Sequence, residues 1–192
     1  QRAADHRVHP VQHRQREGHD VLFSLRFFGF RLNIEVQLFL HRCLGIAGEV
    51  FSWGRGLEGQ LGHGRRTDED RPVLLDTLQG RVIRAVCGGE NNSACITELG
   101  ILYTWGSGDT GKLGHGRGSK FQLIPRAVHG ELGAQRVTQV SLGLAHSACV
   151  TDRGLIYTWG GGWYGRLGLG STENQYVPCL VEALKYRAMA SV

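Results

Sequence analysis

One phrase occurs three times in this chain: VFSWGRGLEGQLGHG at residues 50–64, LYTWGSGDTGKLGHG at 102–116 and IYTWGGGWYGRLGLG at 156–170. The successive tryptophans of the phrase are 52 and 54 residues apart, and one proline follows each copy. Self-similarity at a period of about 50 residues is typical of proteins built from repeated structural units. The repeat therefore predicts a repeat fold, and every other motif has to be interpreted within it.

Each copy also contains G-x-G-x-x-G, the pattern of dinucleotide-binding and kinase glycine-rich loops. A dinucleotide loop has to lead into a helix whose N-terminus faces the pyrophosphate. Here the pattern leads into x-L-G-x-G, and glycine at this density disfavours a helix. The protein-kinase motifs that would accompany such a loop do not occur in the sequence. We therefore interpret these glycines as turn residues of the repeat.

The segments around the glycines are typical of short β-strands. V-F-S-W, L-Y-T-W and I-Y-T-W combine β-branched and aromatic residues with polar ones. A second phrase, at 82–100 and again at 137–154, contains two more apolar segments before a turn. Each unit of about 53 residues thus predicts about four strands, the content of one propeller blade. The high glycine count, 29, with only four prolines agrees with an all-β chain rich in turns.

The order W-G-x-G-x-x-G-x-L-G-x-G, then a proline, then V-x-x-V-x-x-G-x-x-H-S resembles the regulator of chromosome condensation repeat family. The resemblance covers roughly residues 48–192 and implies a seven-bladed β-propeller fold, of which this chain holds about three blades. We divide the chain into a basic segment at 1–47, repeat 1 at 48–101, repeat 2 at 102–155 and a truncated repeat 3 at 156–192. An incomplete set of blades leads us to expect a fragment of a larger protein.

The segment at 1–47 has no clear copy of the phrase. It is rich in arginine and histidine, and we expect it to be poorly ordered or the decayed part of a preceding blade. Its stretch LNIEVQL (32–38) alternates as a strand does. A helix is the alternative, with an apolar face formed by Phe23, Phe27, Phe30, Ile34 and Leu38.

Composition restricts the environment of the chain. The most apolar stretch, at 21–47, is interrupted by charged residues and predicts no membrane span. The five cysteines are odd in number and never form C-x-x-C, which argues against a zinc site or a disulfide framework. We therefore expect an intracellular protein, cytoplasmic or nuclear. A net charge of +5 gives little support to nucleic acid or chromatin as a partner.

No set of residues in the sequence indicates catalysis, cofactor binding or metal binding, and we expect no intrinsic catalysis. Variation inside the repeated phrase identifies candidate partner contacts instead: Asp109 and Thr110 in the second copy, and Trp163 and Tyr164 in the third. Adjacent aromatics in an exposed turn are typical of contact surfaces. The alternative for Trp163 is packing against a neighbouring blade.

The resemblance implies a propeller that binds another protein, as part of a larger regulatory protein. Family members include domains of HECT-type ubiquitin ligases, so recruitment of a ligase substrate is one form of this function. The alternative is guanine-nucleotide exchange on a Ran-like small GTPase. The tryptophan motif G-W-R-H-T of the plant ultraviolet-B photoreceptor does not occur here, where the aligned stretches are GGENNS and GLAHS.

Overall fold

The structure is a computed structural model of the chain. It describes the backbone of residues 21–27, 30–37, 40–44 and 48–187, and the side chains of 48–187. The remaining parts of the predicted 1–47 segment, and the last residues of the predicted third repeat, lie outside the described residues.

The described residues form thirteen β-strands joined by tight turns and five short 3-10 helices, which confirms the all-β prediction. The strands are β1 (Val21–Phe27), β2 (Phe30–Gln37), β3 (Leu40–Leu44), β4 (Val50–Gly54), β5 (Glu69–Leu74), β6 (Ile83–Gly88), β7 (Asn92–Thr97), β8 (Leu102–Ser107), β9 (Phe121–Ala127), β10 (Val137–Leu142), β11 (His146–Thr151), β12 (Ile156–Gly160) and β13 (Gln175–Leu180). The 3-10 helices are Asp76–Leu78, Asp109–Gly111, Gly130–Ala134, Trp163–Gly165 and Glu182–Leu184.

These strands form three sheets, in each of which every strand pairs antiparallel with its sequence neighbour. The first sheet contains β1–β5, the second β6–β9 and the third β10–β13. The long loops at 55–68, 108–120 and 161–174 therefore leave equivalent ends of the three sheets. We call this the glycine-loop end.

The second and third sheets each draw their strands from two adjacent sequence repeats. The unit at 48–101 supplies four strands, as predicted, but β4 and β5 complete the first sheet while β6 and β7 begin the second. Between β5 and β6 the chain passes through the 3-10 helix Asp76–Leu78 and through Gly80, which has φ of 78°. This turn ends the hydrogen-bonded ladder, so the next strand starts a new sheet.

The backbone before residue 48 contributes three strands to the first sheet. The helical alternative for this segment is wrong where the chain is described, since residues 21–27 and 30–37 are extended and paired with each other. Strand β3 pairs with β4 in the register that β7 and β11 adopt with their own neighbours. Cys43 lies opposite Phe51, as Cys95 lies opposite Tyr103 and Cys149 opposite Tyr157.

The core lies between successive sheets. Between the first and second, Val50, Leu75, Leu78, Ile83 and Trp105 pack together as buried side chains. A second cluster joins the second and third sheets and includes Trp159. Burial of an apolar side chain of this size stabilises a fold by about 1.5–3 kcal/mol, so the two tryptophans are central to the docking of the sheets.

Candidate functional site

The first two glycines of each phrase let backbone segments touch. At Gly56 a Cβ would overlap the carbonyl oxygen of Thr67, and at Gly108 it would overlap that of Ser119. The glycine at the end of β8, Gly106, has φ of 100°, a conformation that residues with a Cβ rarely adopt. The turn itself thus requires these glycines, and their pattern is explained without a bound nucleotide.

A backbone carbonyl in each of the first two phrases accepts hydrogen bonds from the next sheet. The Gln60 carbonyl oxygen accepts hydrogen bonds from Ser93 Oγ at 2.6 Å and from Trp105 Nε1 at 2.8 Å. The same arrangement joins the second and third sheets. There the Lys112 carbonyl oxygen accepts hydrogen bonds from Ser147 Oγ at 2.7 Å and from Trp159 Nε1 at 2.8 Å. We call this three-residue arrangement the sheet clasp. Its donors are fully buried, so each bond forms where water does not compete.

The repeated histidine supports the phrase from within. Thr104 Oγ1 donates its one proton to the Leu113 carbonyl at 2.7 Å. The His115 Nε2–H therefore donates to the same hydroxyl oxygen, at 2.9 Å. Burial lowers the pKa of His115 to about 4, which keeps the ring neutral at pH 7. His63 makes the equivalent contact with Ser52 at 2.9 Å. This geometry makes the histidine a structural residue.

The two candidate contacts of the second copy are occupied within the fold. Asp109 is exposed, and its Oδ2 accepts a hydrogen bond from Ser107 Oγ at 3.1 Å. Thr110 has φ of 63°, and its hydroxyl donates to the Ala145 carbonyl of the third sheet at 2.7 Å. Thr110 therefore joins two sheets, which leaves Asp109 as the more accessible of the pair.

The two candidates of the third copy form a stack with a cation. Trp163 is 46% exposed and Tyr164 is 94% exposed. The Arg166 guanidinium lies 5.3 Å from the Trp163 ring centroid and 5.8 Å from that of Tyr164, and its Nε donates to the Trp163 carbonyl at 3.0 Å. Contacts between a cation and an aromatic ring at this range are attractive. The turn thus presents two exposed aromatic rings that contact the same arginine.

Comparison of equivalent turns separates Trp163 from its two neighbours. The position of Trp163 is held by Leu57 in the first copy, which is 47% exposed, and by Asp109 in the second. Both remain accessible although another sheet is docked beside them. The side chain at this position is therefore turned outward by the fold in all three copies.

Tyr164 and Arg166 occupy a different kind of position. Thr110, the equivalent of Tyr164, bonds the following sheet. Lys112, the equivalent of Arg166, is only 3% exposed, and its ammonium group donates to the Leu144 carbonyl at 3.0 Å. A further sheet docked on the third as the third is docked on the second would cover both Tyr164 and Arg166, but would leave Trp163 accessible.

Sequence reasoning missed Leu144, which is 64% exposed. It lies in the loop between β10 and β11, and the Gly161 amide donates to the neighbouring Ala145 carbonyl at 2.8 Å. This bond places Leu144 and Trp163 on adjoining loops of the glycine-loop end. The first copy of this loop has Glu90 at the same place, so a comparison of repeats of the kind that identified Trp163 would have identified Leu144 as well.

Other reactive groups are positioned for structure. Among the described residues there is no group of three or more histidine, cysteine or acidic side chains able to hold a metal ion. Burial raises the pKa of the Cys149 thiol to about 12, so this thiol stays protonated. The part of the chain that the structure describes contains no helix with the length and apolar character needed to cross a bilayer.

Three copies of the regulator of chromosome condensation (RCC1) repeat match the chain, at residues 47–96, 100–150 and 153–192. Together they cover most of its length. The chain belongs to this repeat family. The prediction made from the tryptophan and glycine pattern is thus confirmed.

Among curated proteins, the chain is similar to the human E3 ubiquitin-protein ligase HERC2, with 41% identity over 78% of the chain and 3% of the ligase. It is also similar to the ultraviolet-B receptor UVR8 of Arabidopsis thaliana, with 40% identity over 71% of the chain and 31% of the receptor. The chain therefore spans only a small part of the relatives that it matches.

Among solved structures, yeast RCC1 (Prp20) bound to Kap60 is similar, with a TM-score of 0.65 and 23% identity. The match covers 75% of this chain and 35% of that one. A second structure, of Prp20p from Saccharomyces cerevisiae, matches with the same TM-score and identity, over 36% of that chain. These likenesses confirm the propeller fold, with our three sheets as part of a propeller.

Proposed function

We propose that this chain is a protein-interaction module, and that its contact surface at the glycine-loop end is formed by Leu144 and Trp163. The observation that carries the proposal is the exposure of the Trp163 indole at a position that the fold turns outward in every copy. Leucine and aspartate serve the same turn elsewhere, so the turn itself does not require an indole. Tryptophan is enriched among the residues that dominate binding energy at protein interfaces.

The residues around Trp163 contribute unequally to this surface, because a neighbouring sheet would cover some of them and not others. The Arg166 guanidinium contacts the Trp163 ring, and it lies at the position that the following sheet covers in the preceding copy. Tyr164 lies at the position that joins sheets in the preceding copy, and we assign it a smaller part in binding. We therefore assign Trp163 the central part in binding, with Leu144 on the adjoining loop.

Within a larger protein, such a module fits the recruitment of a partner to a catalytic domain elsewhere in the chain. The 41% identity to a stretch of HERC2 supports substrate recruitment in a HECT-type ubiquitin ligase as one form of this function. We also propose an intracellular location, cytoplasmic or nuclear, which is supported by the odd number of cysteines and the lack of C-x-x-C.

Affinity capture with the full chain as bait tests the proposal. Proteins bound by the wild type are quantified against those bound by Trp163→Ala and by Tyr186→Ala, a control that removes an aromatic ring of 94% exposure near the other end of the third sheet. We expect at least one partner to fall about tenfold or more with Trp163→Ala and to be retained with Tyr186→Ala. Equal recovery of all bound proteins by the three baits would contradict the proposal.

Guanine-nucleotide exchange is the second candidate function. It is supported by the fold shared with Prp20p, a protein studied for its binding to Gsp1p and histones. Release of labelled GDP from Ran, measured with and without the chain, separates the two candidates. A rate well above background favours exchange, and an unchanged rate favours the interaction module. Direct binding to histones, measured in the same preparation, tests chromatin as a partner.

A further inference from the structure

An acidic run follows one exposed threonine on the loop between β4 and β5. Thr67 is exposed, and it precedes Asp68, Glu69 and Asp70. It is the one serine or threonine in the sequence with acids at all three following positions. We propose that Thr67 is a phosphorylation site for a serine/threonine kinase of the acid-directed class, whose substrate groove is basic. This inference is independent of the proposed protein-contact surface.

The loop presents the threonine on a fixed backbone. The Thr67 carbonyl oxygen lies against Gly56, where a Cβ would overlap it. The next residue, Asp68, accepts a hydrogen bond from the Gly56 amide through Oδ1 at 2.8 Å. Glu69 pairs with Arg65 at 2.6 Å. Asp70 Oδ1 lies 4.0 Å from Arg71 Nε, but its side chain is 92% exposed, which makes it the acid most accessible to a basic groove.

The third repeat shows that this backbone position accommodates negative charge. The residue whose carbonyl lies against the second glycine is Thr67 in the first copy, Ser119 in the second and Glu173 in the third. Glu173 is exposed, and Asn174 Oδ1 accepts from the Gly162 amide at 3.1 Å, as Asp68 does from Gly56. A carboxylate at this place therefore leaves the turn intact, and we expect a phosphate to do the same.

The reaction is phosphoryl transfer from ATP. The Thr67 hydroxyl oxygen forms a bond to the γ-phosphorus while the bond to the β–γ bridging oxygen breaks, and ADP departs. The hydroxyl proton passes to the carboxylate base of the kinase. The product carries about −1.5 to −2 charge at pH 7. This charge lies next to Arg66, whose Nε donates to the Leu57 carbonyl at 2.6 Å, so it alters the surface around the first glycine loop.

The test uses the full chain with purified casein kinase 2, an acid-directed kinase, and ATP, with tandem mass spectrometry to localise the phosphate. We expect one phosphate, on Thr67, and none on Ser119, which has the same backbone position but is followed by Lys120. Asp70→Asn is expected to lower the initial rate about tenfold, because a charge-assisted contact is lost. Glu173→Gln, which removes an exposed acid from the equivalent third loop, is expected to leave the rate unchanged.

A second measurement, the melting temperature of a variant, tests whether the loop tolerates a negative charge at residue 67 without a loss of folding. Thr67→Glu introduces the side-chain charge that the third copy already carries, and its melting temperature is expected to match that of the wild type. The proposal would be overturned if Thr67 stays unmodified while an acidic reference peptide is fully phosphorylated in the same tube. It would also be overturned if Ser119 is modified as fast as Thr67, or if Asp70→Asn and Glu173→Gln slow the reaction equally.

Discussion

At the scale of single residues, His115 shows how one side chain supports a turn that can also be built without it. Its ring bonds Thr104, while the third copy has Leu169 at the same place and keeps the Thr158 hydroxyl bonded to the Leu167 carbonyl at 2.6 Å. The three copies of the phrase show that this position tolerates leucine. The sequence alone did not reveal the hydrogen bond to Thr104, because that contact depends on a turn that brings together residues 11 positions apart.

The lowered pKa of His115 predicts a pH-dependent stability. Because burial lowers the folded-state pKa from 6.5 to about 4, the unfolded chain binds a proton more readily between these values. This contribution to stability is complete above pH 6.5 and is lost as the pH falls toward 4. The free energy of unfolding is measured by urea titration at pH 7 and at pH 4.5. We expect the loss between these two pH values to be about 2 kcal/mol smaller in His115→Leu than in the wild type.

Equal pH dependence in the two proteins would show that His115 is charged or solvated in the folded state. His63 titrates in the same direction, since burial lowers its pKa as well. His63→Leu is therefore a matched variant at the equivalent place of the first copy.

At the scale of elements, strands were predictable from the sequence but their grouping into sheets was not. V-F-S-W and its copies indicate strands through their alternation, and the structure has β4, β8 and β12 at those places. Nothing in the repeated phrase marks which strands share a ladder, because the break between β5 and β6 is set by a short 3-10 helix. The strands before residue 48 were ambiguous, because the spacing of their phenylalanines fits the two-residue period of a strand as well as the 3.6-residue period of a helix.

The sheet clasp predicts that the buried Trp105 and Trp159 contribute more to the free energy of unfolding than the exposed Trp163 does. Trp159→Phe removes the Nε1 donor to the Lys112 carbonyl and leaves a small cavity between the second and third sheets. We expect a loss of about 2 kcal/mol in the free energy of unfolding, measured by chemical denaturation. Trp163→Phe is the control and is expected to change stability by less than about 0.5 kcal/mol. Equal losses in the two variants would contradict the clasp.

At the scale of the whole molecule, the candidate site was only partly predictable. The variation between copies directed attention to Trp163 and Tyr164. Sequence alone did not show that the Trp163 position faces outward while the Tyr164 position joins sheets. That difference depends on contacts with the third sheet, which covers Lys112 and bonds Thr110. The same turn therefore has two kinds of surface, one that builds the propeller and one that remains accessible to a partner.

Hydrogen–deuterium exchange of the indole N–H groups, followed by nuclear magnetic resonance on the 15N-labelled chain, tests this central claim most directly. The account predicts slow exchange for Trp105 and Trp159, whose indoles are buried in the clasps, and fast exchange for Trp163. Fast exchange of all three indoles would contradict the clasped sheets, and slow exchange at Trp163 would contradict its proposed role as an accessible contact residue.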